Sequence, residues 1–209
     1  MDFAAARKVM VDSQVRVNDV TDRDLQAALL AVPREAFLPA DRAFSAYAEI
    51  EPEIANGRRL MLARDLSKLL MALEPRAGET ALAIAGPYAA AVLARLGLAV
   101  TAQEADAAVL DVVGSALAEA GVQGVAAPFA RPTGGDYDLI VSEAAVPVRP
   151  EAWLAALKVG GRLAVVERGG PAGKAVLYVK GPSGFSRREL FDAAPPVLAE
   201  LAPEPAFAL

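Results

Sequence analysis

Two rhythms of apolar and polar residues run along this chain, and the clearest change between them falls in one short stretch. Thr80-Ala-Leu-Ala-Ile84 is an apolar run of strand length, and Tyr88 to Arg95 is alanine-rich with Val92, Leu93 and Leu96 at helical spacing. Only Ala85-Gly86-Pro87 separates them, so the stretch predicts a strand, a tight turn and a helix with Pro87 at its first position. That order makes the first βα unit of a nucleotide-binding α/β sheet, in which the turn faces the ligand.

The same pattern extends in both directions. Upstream, Asp2 to Val11 predicts a helix, and Thr21-Asp-Arg-Asp24 opens a second one in the manner of a capping box. Pro33 ends that helix, and Glu49 to Asn56, charged and without period, predicts a loop. Leu62, Leu66, Leu69, Leu70 and Leu73 form one stripe, so Met61 to Glu74 predicts an amphipathic helix. Downstream, Leu98–Ala102, Val122–Ala126, Tyr137–Val141 and Arg162–Glu167 predict strands. Helices capped by Asp106 and begun at Pro150 alternate with them. Ala175–Val179 and Phe185–Phe191 flank Gly181-Pro-Ser-Gly184 with no helix between them, which predicts a hairpin. The order describes an α/β fold: a doubly wound, mostly parallel seven-stranded Rossmann-like sheet with a C-terminal antiparallel hairpin. Residues 1–74 form a small helical N-terminal extension packed on the core, and 75–209 form the α/β domain.

Composition removes several chemistries. With no cysteine and no histidine, disulfides, zinc sites built on thiolate or imidazole, and every histidine-based mechanism are excluded. No metal is expected. A net charge of −5 argues against a nucleic-acid partner, and the basic pairs Arg58-Arg59 and Arg187-Arg188 are expected at solvated ends of elements. The acidic start Met1-Asp2-Phe3 and the break at Gly86-Pro87 predict neither a signal peptide nor a membrane span, so a soluble, cytoplasmic chain is expected. Oligomeric state is left open.

Several blocks together resemble a known family. They are Met10-Val11, Gln14, Val32-Pro-Arg-Glu-Ala-Phe-Leu-Pro39 and Ala46-Tyr47 in the first half. In the second half they are Tyr137–Val141, Ala144-Ala-Val-Pro147, Pro150-Glu151, Leu157-Lys-Val-Gly-Gly-Arg-Leu163 and Leu190-Phe-Asp-Ala193 with Pro195-Pro196. The chain resembles the protein-L-isoaspartate O-methyltransferases, class I S-adenosylmethionine-dependent enzymes that methylate damaged aspartyl residues. Lys-x-Gly-Gly-Arg-Leu is common to many class I methyltransferases, whereas the Val-Pro-Arg-Glu-x-Phe-x-Pro block is specific to this family.

The resemblance implies S-adenosylmethionine as cofactor and a protein or peptide as substrate. It places the cofactor at Ala85, Gly86, Tyr88, Glu104 and Glu143. Where the family has an acid followed by Gly-x-Gly-x-Gly-Tyr, this chain has Ala83 at the acid and a shortened Gly86-Pro87-Tyr88. Pro87 removes one N–H donor from the helix start. Glu104 stands where an acid binds ribose hydroxyls, and Ser142 or Glu143 faces the same crevice by topology. Ala126-Ala-Pro-Phe129 replaces the family's Gly-Asp-Gly near the adenine, and Phe129 is either a stacking surface or a core residue. The family's substrate serine falls on Met61, leaving Arg58 and Arg59 as candidate catalytic residues able to bind a carboxylate. These departures coincide at the chemistry and spare the scaffold. The expected function is therefore a degenerate family member with weak or lost methylation that acts as a binding module. The alternatives are an active isoaspartyl methyltransferase in protein repair and a methyltransferase with another acceptor.

Overall fold

The computed structural model describes residues 1–202; the end of the second unit, 203–209, lies outside them. Helix α1 spans Phe3–Met10 and begins where the Asp2 carboxylate accepts the Ala5 N–H at 3.0 Å. The chain continues through a π-helical turn at Val11–Val15, which buries Val11 and Val15. Helix α2 spans Arg23–Ala31, and its cap is Asp22, not Thr21: the Asp22 carboxylate accepts the N–H groups of Asp24 and Leu25 at 2.9 and 3.0 Å. One aspartate oxygen there satisfies two of the four free donors of the first turn.

The segment expected as a loop, Glu49 to Asn56, carries the first strand of a hairpin that continues to Arg59. Strands β1 (Glu53–Ala55) and β2 (Arg58–Arg59) pair antiparallel around Asn56 and Gly57, both at positive φ (47° and 79°). Asn-Gly is the strongest two-residue hairpin signal. Charged neighbours and very short strands hide it from a reading based on periodicity. Helix α3 (Ala63–Leu73) follows and fully buries Leu66, Leu69, Leu70 and Leu73.

The main sheet contains β3 (Thr80–Ile84), β4 (Ala99–Glu104), β5 (Gln123–Ala126), β6 (Tyr137–Val146), β7 (Leu157–Glu167), β8 (Gly173–Gly181) and β9 (Gly184–Ala193), in the order β5-β4-β3-β6-β7-β8-β9. The first five strands are parallel, and β8 and β9 close the sheet as the expected hairpin. Helices α4 (Pro87–Arg95) and α5 (Ala107–Glu119) connect β3 to β4 and β4 to β5, and the short α6 (Glu151–Ala155) precedes β7. Strand β6 runs past Val141 to Val146, because Ser142 and Glu143 are buried with their apolar neighbours and do not end it. Strand β7 likewise starts before Gly160-Gly161. A Cβ on Gly161 would stand 2.8 Å from the Tyr137 carbonyl oxygen, so the strand can pass there only as glycine. Arg187 lies within β9 and pairs with Glu167 at 2.7 Å, so that basic pair is not a free end.

A single apolar cluster takes in Leu25, Leu29, Leu66 and Leu70 from the N-terminal helices together with Val92, Leu139 and Val141 from the sheet domain. Strand order reverses between β3 and β6, whose carboxyl ends therefore border the crevice where ligands of open α/β sheets bind.

Candidate cofactor site

Just past the end of β3, Ala85 turns the chain at φ 50° while its N–H donates to the Gln103 carbonyl at 2.9 Å. The left-handed region favours glycine, so this turn keeps a glycine's conformation with a buried methyl group in it. Gly86 follows as the N-cap of α4 and has no side chain with which to cap it. The cap comes from across the crevice. Glu143 on β6 is buried, and its Oε1 accepts the Ala89 N–H at 2.8 Å while Oε2 accepts the Met61 N–H at 3.3 Å. Burial pushes this carboxyl above its ordinary value, while the Arg34 guanidinium and the backbone donors pull it down. The helix N-terminus that attracts anions in nucleotide-binding folds thus holds a carboxylate of the protein itself.

Arg34, from the Val32–Pro39 block, is the positive partner in this buried network. Its Nε donates to the Ala46 carbonyl at 2.8 Å and its Nη2 to the Met61 carbonyl at 2.6 Å, and the guanidinium lies 4.9 Å from the centre of the Tyr88 ring. Tyr88 also meets Phe37 edge-on at 5.6 Å and is fully buried, and burial raises its hydroxyl above the ordinary value. Met61 is fully buried too, so the position aligned with the family's serine packs an apolar side chain in the core and makes its polar contacts through its backbone.

The second half of the crevice lies at the end of β4. Glu104 Oε1 accepts the N–H groups of Ala105 and Asp106 at 2.9 and 3.2 Å, and Oε2 lies 3.2 Å from Arg58 Nε. Burial raises the Glu104 carboxyl, opposed first by Arg58. The Arg58 guanidinium also stands 4.8 Å from the centre of the Phe129 ring, and Phe129 is held by a 2.7 Å bond from Trp153 Nε1 to its carbonyl. The expected solvated pair is therefore split: Arg58 turns inward, and only Arg59 is exposed, with Nη1 donating to the Glu51 carbonyl at 3.1 Å. Ser142 accepts the Ala144 N–H at 3.1 Å and plays no further part.

Ala85, Gly86 and Glu104 lie at the carboxyl ends of β3 and β4, Glu143 lies within β6 just past its last pairing with β3, and Tyr88 opens the helix beside them. Sequence reasoning passed over Arg34 and the backbone of Met61, although the Val32–Pro39 block contained the arginine. Among the described residues no group of His, Cys, Asp and Glu could hold a metal, and no helix is long and apolar enough to cross a membrane.

A sheet of this order with a crevice at its reversal point defines the fold of the S-adenosylmethionine-dependent methyltransferases. A Plasmodium falciparum structure described as a protein-L-isoaspartate O-methyltransferase in complex with S-adenosyl-L-homocysteine shares it, at a TM-score of 0.79 and 15% identity over 92% of this chain and 97% of that one. The chain belongs to the protein-L-isoaspartate (D-aspartate) O-methyltransferase family, whose model matches residues 6–176. It is 37% identical to protein-L-isoaspartate O-methyltransferase 1 of Rhodopseudomonas palustris strain HaA2, over 77% of this chain and 69% of that one. It is 34% identical to the Methylorubrum populi protein-L-isoaspartate O-methyltransferase, over 88% and 91%.

Proposed function

We propose that this chain is a family member in which S-adenosylmethionine-dependent carboxyl methylation is weak or lost, and that it works as a binding module for a protein or peptide. The observation that carries the reading is the Glu143 carboxylate on the first turn of α4, bonded to the Ala89 and Met61 N–H groups. An S-adenosyl group does not fit the residues present. Its amino-acid end would meet a buried Glu143 already bonded to the Ala89 and Met61 N–H groups, and its ribose would meet the Arg58 guanidinium 3.2 Å from Glu104 Oε2, an oxygen that accepts no hydrogen bond of its own. A ligand must match the hydrogen bonds it displaces before it gains anything.

A polypeptide finds a better surface outside the crevice. A groove of about 780 Å³ runs past Ile50, Leu62 and Ala193, mixing apolar wall with charges of both signs: Arg59 and Arg64 beside Glu51, Asp65 and Asp192. Arg59 there could pair with a carboxylate of the bound chain.

Calorimetric titration with S-adenosylhomocysteine tests the reading. No binding is expected up to about 1 mM ligand, equivalent to less than about 4 kcal/mol of affinity. A dissociation constant in the low micromolar range would overturn the lost-cofactor reading. Methyl transfer to an isoaspartyl peptide would then decide between the active repair enzyme and a methyltransferase with another acceptor.

A further inference from the structure

Arg58 and its hairpin do more than fill space. The guanidinium is held on one side by Glu104 at 3.2 Å and on the other by the Phe129 ring at 4.8 Å. These are an acid at the end of β4 and an aromatic face fixed by Trp153. An acid at the second strand end is the ribose-binding group of dinucleotide folds, and an aromatic face can stack a purine as readily as a guanidinium. An apolar depression of about 460 Å³, lined by Ala105, Ala126, Ala127, Pro128 and Phe129, opens beside the pair.

The hairpin that supplies Arg58 is fastened at its tip. Asn56 Nδ2 donates to Asp106 Oδ2 at 2.8 Å, and Asp106 is the N-cap of α5 on the far side of Glu104. The β1–β2 hairpin therefore spans the mouth of this half of the crevice.

We propose that Arg58 is a plug: it occupies a purine-nucleoside subsite between Glu104 and Phe129, and the hairpin latched at Asn56 holds it there. The subsite is closed by a side chain, not lost. The inference rests on the cofactor reading above, but concerns only the nucleoside half of the crevice, away from Glu143. Arg58→Ala clears the ring face and releases one oxygen of Glu104.

Calorimetry with adenosine, which has no amino-acid portion to meet Glu143, tests it. The wild-type chain is expected to bind no adenosine at about 1 mM, and Arg58→Ala to bind at least about tenfold more tightly than the wild type. Because Arg58→Ala leaves a buried carboxylate without its partner, Arg58→Gln is measured beside it. That neutral amide can donate to Glu104 Oε2, which Arg58 faces at 3.2 Å without a hydrogen bond, and is too short to cover the ring. Circular dichroism establishes that each variant is folded. Folded variants that bind adenosine no better than the wild type would overturn the plug, as would equal binding by the wild-type chain. Either result leaves the S-adenosylhomocysteine titration, and the reading it tests, to stand or fall separately.

Discussion

Replacing Arg34 by methionine probes the buried network beside the crevice. Methionine keeps much of the length and apolar volume of the side chain and removes its charge and donors. The carbonyls of Ala46 and Met61, which accept from Arg34 at 2.8 and 2.6 Å, lose those donors inside the core. Each such loss costs about 1–2 kcal/mol. Glu143 also loses the guanidinium whose field lowers its pKa, an interaction at a distance and not an ion pair. Against this, burial depresses the Arg34 guanidinium, so its removal recovers some desolvation. A net loss of about 3 kcal/mol is expected. At about 2.1 cal/mol/K per residue, a chain of this size unfolds with an entropy of about 0.4 kcal/mol/K, so Tm should fall by about 7 °C. Urea titrations of wild type, Arg34→Met, Glu143→Gln and the double variant should give a coupling of about 1–2 kcal/mol, because the second substitution removes the charge that the first leaves uncompensated. An Arg34→Met chain within about 1 kcal/mol of wild type, or effects additive to about 0.5 kcal/mol, would refute the network.

Two further outcomes follow from the same residues. Burial holds the Glu143 carboxyl above 4.5, so the folded chain binds its proton more readily than the unfolded one. The stability this gives is fully present below the unfolded value and is lost as pH rises through the folded one. Urea midpoints should therefore show Glu143→Gln gaining on wild type as pH rises above about 4.5, and a constant difference across the range would rule this out. At the turn, a Cβ on Gly86 meets Glu143 N at 3.4 Å, Glu143 Cγ at 3.5 Å and Ala89 Cβ at 3.6 Å, all ordinary contacts. Gly86→Ala should thus change stability by less than about 1 kcal/mol, while Ala85→Gly should be neutral or stabilising by up to about 1 kcal/mol as it relieves the φ of 50°. A loss above about 2 kcal/mol in either variant, read from thermal melts, would show the turn to be more tightly specified than its geometry implies.

The scaffold was legible because its signals are local. Thr80–Ile84 reads as a buried strand from five neighbouring residues, and the leucines of α3 mark its buried face by spacing alone. Family blocks fixed the rest of the order. The interior of the site was not legible in the same way. Glu143 looks like an ordinary acid at a strand end, and what it does depends on where the N–H groups of Ala89 and Met61 lie in space. Arg58 reads as half of a solvated basic pair until the Asn56-Gly57 turn sets it facing Glu104. The missing glycines signal a departure from the family, but they do not say what took the vacated space.

A helix that carries its own counter-anion is independent of supply. Proteins whose folded state is completed by a small molecule gain RT ln(1 + [L]/Kd) when it is abundant and lose it under scarcity, so their lifetime tracks metabolism. Glu143 on the first turn of α4 makes part of such a contact from within the chain, at the cost of burying its own carboxyl. Under the proposed loss of the cofactor, the abundance of this chain in the cell should stay level through methyl-donor starvation.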